Sequence, residues 1–187
     1  MKNKAHDIAI YSFRQGEPVL IDTNVWVYLY PPAAQPAQQQ LEADYSRAFG
    51  KLLQAKATPI IDALILSEYI NRYLRIEYKV WEKRHTGDAY KTFRRSAEGL
   101  QLACNAAAEV RCILKDASLR DTRLQGASIE SIITGIETGG FDFNDGVLIE
   151  NCRLQGWKLL THDSDMTIGG IELLTANRKL LQVCREA

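Results

Sequence analysis

The chain has 187 residues, with 23 Lys plus Arg against 23 Asp plus Glu and a formal net charge of zero. Hydrophobic residues make up 46% and charged residues 25%, which excludes a disordered or fibrous chain and allows one domain with a sizeable core. Zero net charge excludes a protein that coats nucleic acid by bulk positive charge, but not a local nucleic-acid site.

The N-terminal residues 1–16 carry no apolar leader and read as an extension. Val19, Leu20 and Ile21 form an apolar run without alternation. That predicts a strand over Pro18–Ile21 buried on both faces, as in a parallel sheet. Asp22-Thr23-Asn24 follows and suits a helix start before Val25–Tyr30. Pro31–Gln40 reads as a loop. Leu41, Tyr45, Ala48, Phe49 and Leu52 recur at helical spacing within Gln38–Lys56. Thr58–Ile61 is a second short strand. Asp62 suits the cap of a helix with Leu66, Ile70, Tyr73 and Leu74 on one face, and Gly87 ends the pattern. Asp88–Lys115 reads as one helix and Ser118–Leu124 as a weak strand. Residues from about 75 to 125 therefore form a helical insertion within a single domain. Ser128–Glu137 is a short helix, Gly139-Gly140 a loop and Asn144–Leu154 a helix. Lys158–Leu160 and Ile171–Leu174 are the last strands. Short apolar strands alternating with amphipathic helices predict a three-layer α/β/α fold with a mostly parallel sheet.

Ligands of such sheets bind at the carboxyl ends of the strands. Four separate segments place an acid there: Asp22 after the first strand, Glu68 in the helix after the second, Asp145 at a helix N-terminus with Asp142 before it, and Asp163 after Lys158–Leu160 with Asp165 beyond. Each acid alone has a structural explanation, such as a cap or a turn. Four together repel one another unless a cation neutralises them. Hard oxygen donors without a Cys/His ligand set point to Mg²⁺ or Mn²⁺ rather than zinc.

Four segments resemble, in order, the motifs of the PIN-domain nucleases. They are Val19-Leu20-Ile21-Asp22-Thr23-Asn24-Val25, Leu66-Ser67-Glu68-Tyr69-Ile70-Asn71, Asp142-Phe143-Asn144-Asp145-Gly146-Val147-Leu148-Ile149, and Leu159-Leu160-Thr161-His162-Asp163-Ser164-Asp165-Met166. Gly156 precedes the last strand of this set. The resemblance implies a Rossmann-like PIN domain with Mg²⁺- or Mn²⁺-dependent ribonuclease activity, of the VapC kind. Asp22, Glu68, Asp145 and Asp163 match the acidic quartet, Asn24 the structural Asn and Thr161 the supporting Thr/Ser. Thr23 completes the first motif. Asp142 and Asp165 compete with Asp145 and Asp163 for the last two places, and the position directly opening the helix and the position two past the Thr favour the latter pair. For a VapC-type toxin the resemblance further implies an antitoxin protein as partner and a homodimer. Two departures stand out: Gly146 replaces the usual Ala, and Glu150-Asn151 replaces small residues, which predicts a polar surface that alters packing or dimerisation.

Charge is unevenly spread. Residues 72–123 hold 12 Lys/Arg against 7 acids, whereas residues 124–187 hold 5 against 9. Tyr73, Tyr78, Trp81, Tyr90 and Phe93 are interleaved with the basic residues. They read either as bases for RNA stacking or as core. Arg72 and Arg75, one to two turns beyond Glu68, are the candidate RNA contacts. His162 reads as a loop histidine beside the site.

Two other phosphohydrolase patterns fit poorly. A dehalogenase-type phosphatase needs an Asp where Asn24 stands, and an HD-type phosphohydrolase needs several metal histidines. A nucleic-acid-binding or regulatory PIN domain with little catalysis is the alternative of a different class. Cys104, Cys112, Cys152 and Cys184 form no Cys-x-x-Cys pair, and no segment is apolar over a membrane's width. A cytoplasmic protein with reduced, mostly buried thiols and no membrane contact is expected.

Overall fold

The computed structural model describes residues 1–184, and of residue 127 the backbone alone. Among the described residues six strands form one all-parallel sheet: β1 (Lys4–Asp7), β2 (Pro18–Ile21), β3 (Thr58–Ile61), β4 (Ser118–Leu119), β5 (Lys158–Leu160) and β6 (Glu172–Thr175). Their order is β1-β6-β5-β2-β3-β4. Val19, Leu20 and Ile21 are fully buried. Successive strand side chains point to opposite faces, so helices cover the sheet on both sides and the fold has three layers.

The helices are α1 (Thr23–Leu29), α2 (Gln39–Gln54), α3 (Ala63–Arg84), α4 (Tyr90–Arg95), α5 (Ala97–Asp116), α6 (Gly126–Glu137), α7 (Phe143–Gln155) and α8 (Arg178–Val183). From β2 the chain passes to β3 on one side, while β5 pairs with β2 on the other. The topological switch point therefore lies between β2 and β5, where such sheets open a crevice for ligands. Asp22 and Thr161 are the first residues past these two strands.

Several boundaries differ from the sequence reading for identifiable reasons. Residues Lys4–Asp7 pair with β6 as an edge strand. They are only half-buried and have no apolar run to announce them. The expected helix Asp88–Lys115 is two helices. Ser96 is extended (φ −72°, ψ 158°) and accepts the Gly99 N–H, capping α5. A Cβ on Gly99 would come within 1.9 Å of the Phe93 carbonyl oxygen, so glycine is required for this tight junction. The strand expected over Ser118–Leu124 stops at Leu119, with one further bond from Arg120 N–H to the Ile61 carbonyl. At an outer edge, Arg120, Asp121 and Arg123 have no apolar face to bury. Asn177 caps α8 through the N–H groups of Lys179 and Leu180.

Tyr73, Trp81 and Phe93 are buried, and Tyr78 and Tyr90 are half-buried. Tyr78 contacts Trp81, Tyr90 and Phe93, and Trp81 stacks on His85 at 4.0 Å. Together with the Trp81–Phe93 contact this makes a satellite core that docks α4 on α3. The core reading of these aromatics is the one the structure adopts. Of the cysteines, Cys152 and Cys184 are buried, but Cys104 is exposed and Cys112 half-exposed. The expectation of mostly buried thiols thus holds for half of them. All four are free. Among the described residues no helix is long and apolar enough to cross a membrane.

Candidate active site

Asp22 occupies the N-cap position of α1 but makes no side-chain capping bond. Its carboxylate turns to the β5 side instead. Oδ2 accepts the Thr161 hydroxyl at 2.6 Å and the Asn24 amide. Asn24 Oδ1 in turn accepts the His162 N–H at 2.9 Å, and Thr161 Oγ1 accepts the Asp163 N–H at 3.0 Å. Two of these bonds, Thr161 to Asp22 and His162 to Asn24, tie the end of β2 to the loop after β5, and the other two brace each side, so the orientation of Asp22 is fixed. The Asp163 side chain accepts the Asp165 N–H at 2.8 Å, which shapes the loop, while the exposed Asp165 carboxylate accepts the hydroxyl of its neighbour Ser164.

The loop is pinned from behind by Tyr45, a fully buried residue of α2. Its hydroxyl donates to the Thr161 carbonyl at 3.0 Å, meets His162 Nδ1 at 2.9 Å and accepts the Ala176 N–H at 3.1 Å. With the Tyr45 proton on the carbonyl, the Nδ1–H tautomer of His162 completes the pattern. Asn177 donates to the His162 carbonyl at 2.8 Å. His162 also packs edge-on against Tyr28 and Tyr45, and burial lowers its pKa despite the opposing charge of Asp163. It is a clamped loop residue. Helical spacing alone marked Tyr45 as core. Its polar role was invisible because the partner lies 116 residues away.

Asp142 caps α7 by accepting the Asp145 N–H at 2.9 Å, which places Asp145 in the first turn. Gly146 follows. A Cβ there would lie 2.8 Å from both Ile132 and Phe141 side chains, so glycine lets α6 and Phe141 close against α7 beside the acids. Glu150 and Asn151 are buried, not a polar surface as the sequence suggested. Glu150 pairs with Arg153 at 2.6 Å and Asn151 donates to Asp62. Asp62 itself caps α3 and is fully buried.

The acids sense one another. Burial pushes Asp22 from the usual 3.8 up to about 6, opposed by the Thr161 hydrogen bond and reinforced by the charges of Glu68 and Asp163. Burial likewise raises Asp145 to about 7, with Asp142, Asp163, Asp22 and Glu68 all adding to the effect. Glu68 is raised by burial and by Asp142 and Asp163, against the Thr23 hydroxyl and Arg72. The quartet from β2, α3, α7 and the β5 loop therefore meets in one electrostatic field. Asp142 contributes to that field from its capping position. Arg72 belongs to it too, whereas the Arg75 guanidinium lies 4.1 Å over the Tyr90 ring.

This donor set is all hard oxygen, which fits Mg²⁺ or Mn²⁺. The Thr23 hydroxyl is buried next to Asp22, makes no well-aligned hydrogen bond, and lies near enough to Glu68 to favour its ionised form. Among the described residues no three acidic, His or Cys side chains converge closely enough to enclose an ion by themselves. A cleft of about 600 Å³ between β1 and α8, lined by His6, Ile10, Tyr11 and Arg178 among others, contains none of these acids.

The fold is a Rossmann-like three-layer α/β/α arrangement around a parallel sheet, with the acids at the switch point of that sheet. Among solved structures, VapBC2 from Rickettsia felis, bound to a DNA fragment from their promoter, overlays with a TM-score of 0.53 at 14% identity. The match covers 83% of this chain and 97% of that one. PAE2754 from Pyrobaculum aerophilum overlays with a TM-score of 0.45 at 14% identity, covering 87% and 88%. No protein-family model matches the sequence, and no curated protein matches it. The likeness to VapBC2 is one of fold.

Proposed function

We propose that this chain is a metal-dependent endoribonuclease that hydrolyses RNA phosphodiester bonds at Asp22, Glu68, Asp145 and Asp163. The observation that supports this best is the mutual coupling of four carboxylates from four segments, two of them raised to about 6 and about 7. In this reading Asp22 and Asp145 are the primary ligands of Mg²⁺ or Mn²⁺. Glu68 and Asp163 complete the set or orient water. When bound, the cation supplies Lewis-acid stabilisation of the scissile phosphate and a lowered pKa for water. Thr161 and Asn24 hold Asp22 ready before an ion arrives, and the Thr161 bond keeps its pKa from rising further. No side-chain nucleophile is needed.

Purified chain should cleave unstructured RNA with Mg²⁺ or Mn²⁺ and stop when a chelator is added. Asp22→Asn should abolish the cleavage. Equal rates for Asp22→Asn and wild type would overturn the proposal. A second reading, a nucleic-acid-binding domain with weak or no catalysis, draws on the lack of three converging ligands among the described residues. Binding of RNA without metal-dependent cleavage would favour it.

The overlay with a VapBC2 complex supports a finer proposal. The chain acts as a toxin of the VapC type, is held by an antitoxin protein and forms a homodimer. Co-expression with a small DNA-binding protein encoded beside it should silence the cleavage, and sedimentation should report a dimer.

A further inference from the structure

α3 runs for 22 residues, well beyond Glu68. Its inward face carries Ile65, Tyr69, Tyr73, Glu77 and Trp81, all buried. On its outward face Glu68, Arg72, Arg75, Lys79 and Lys83 follow at spacings of four, three, four and four. At 3.6 residues per turn these positions stay within about 80° of one another and span about 22 Å. Arg72, Arg75, Lys79 and Lys83 are exposed. The stripe therefore begins at a carboxylate of the proposed active site and continues as an unbroken line of cations.

Two features set this line apart from an ordinary solvated helix face. Among the described residues Lys79 and Lys83 make no ion pair, and neither has a further partner. Like charges three and four residues apart repel along a helix, so the line costs some stability that a bound polyanion relieves. The neighbouring acid Glu82 accepts the Tyr78 hydroxyl at 2.9 Å and, among the described residues, pairs with neither lysine. The line is also held rigid. Arg75 stacks on Tyr90, and the satellite core fastens α4 to α3, bringing Lys91, Arg94 and Arg95 onto the same lobe with exposed side chains.

We propose that the outer face of α3 is a track for a single strand of RNA, whose phosphates run from the carboxylates along Arg72, Lys79 and Lys83. One line of cations matches the phosphates of one strand, whereas a duplex presents two lines across a groove. The track rests on the nuclease reading for its role in substrate choice. It makes the enzyme depend on RNA that extends past the cleavage point, while short oligonucleotides reach the carboxylates without touching Lys79 or Lys83.

The test uses full-length chain. In an Asp22→Asn background, Lys79→Ala plus Lys83→Ala should lower the slope of log K against log salt for a long unstructured RNA by about 1.4, at about 0.7 per lost phosphate contact on a single strand. Arg178→Ala plus Lys179→Ala on α8 removes the same charge and should leave the slope unchanged. In the active chain the Lys79/Lys83 variant should lose kcat/KM on long RNA and keep it on a short oligonucleotide. An unchanged slope, an equal loss with the α8 pair, or tighter binding of duplex than of single strand would overturn the track. If metal-dependent cleavage is present and the slope is unchanged, the track alone fails. If cleavage is absent and only the Lys79/Lys83 pair lowers the slope, the nuclease reading fails and the track stands as an RNA site.

Discussion

Asp22→Asn should stabilise the metal-free fold while removing activity. The carboxyl is buried just past the end of β2 and is held at about 6 rather than the usual 3.8. Above both values, keeping it ionised costs about 3 kcal/mol relative to a neutral group, at 1.36 kcal/mol per pH unit. Asn is nearly isosteric, and its carbonyl oxygen accepts the bonds from Thr161 and Asn24. The expected gain at neutral pH is about 1 to 3 kcal/mol, or roughly 3–10 °C in Tm for a chain of this size. The sign follows from the raised pKa. The folded state binds the extra proton between about pH 4 and pH 6, so wild-type stability falls as pH rises through that window. The gap between variant and wild type should therefore open over the same window and close below it. Thermal melts in chelator at a series of pH values measure this. Mg²⁺ or Mn²⁺ should narrow or reverse the gap, because the ion stabilises only the wild type. A variant that is less stable than wild type at every pH would instead make Asp22 a structural clip between β2 and the β5 loop.

Two other substitutions probe the frame around the site. Gly146→Ala puts a methyl within 2.8 Å of Ile132 and Phe141, so α6 and α7 must separate. A loss of about 1–3 kcal/mol in denaturant unfolding is expected, and an unchanged midpoint would refute the close approach. Tyr45→Phe keeps the buried ring but leaves the Thr161 carbonyl and the Ala176 N–H without their partner. It should cost about 1–3 kcal/mol and lower kcat more than it raises KM, since the loop holding Asp163 loosens. Wild-type kinetics from this variant would remove Tyr45 from the positioning of the loop.

The acids were legible in the sequence because each follows a local signal: an apolar strand, a helix start, or a Thr-x-Asp turn. Their meeting is a property of parallel topology, which places every strand end on one edge. The strands with continuous apolar runs, β2, β3 and β5, were legible for the same reason. The edge strand β1 was not, because Lys4, Ala5, His6 and Asp7 need no apolar pattern at a half-buried rim. The break at Ser96 was masked by uninterrupted helical periodicity on both sides. Its only local mark was a Ser three residues before a Gly. Glu150 and Asn151 show the opposite failure. Their polarity suggested a surface, yet Arg153 and Asp62 supply partners that bring both inside. Tyr45 illustrates what no local pattern carries, a hydroxyl whose partners lie in a distant loop. The aromatics of residues 73–93 followed ordinary apolar burial, and the basic residues beside them were left outside.

Calorimetric titration with Mn²⁺ of wild type, Asp22→Asn, Glu68→Gln, Asp145→Asn and Asp163→Asn shows whether the four acids share one cation. One cation site shared by the four acids predicts that each substitution weakens binding. It also predicts that wild-type affinity falls as pH drops through about 7 and then about 6, where Asp145 and Asp22 take up protons. Wild-type affinity in the Asp22 or Asp145 variant, or binding that ignores pH across this range, would contradict the account.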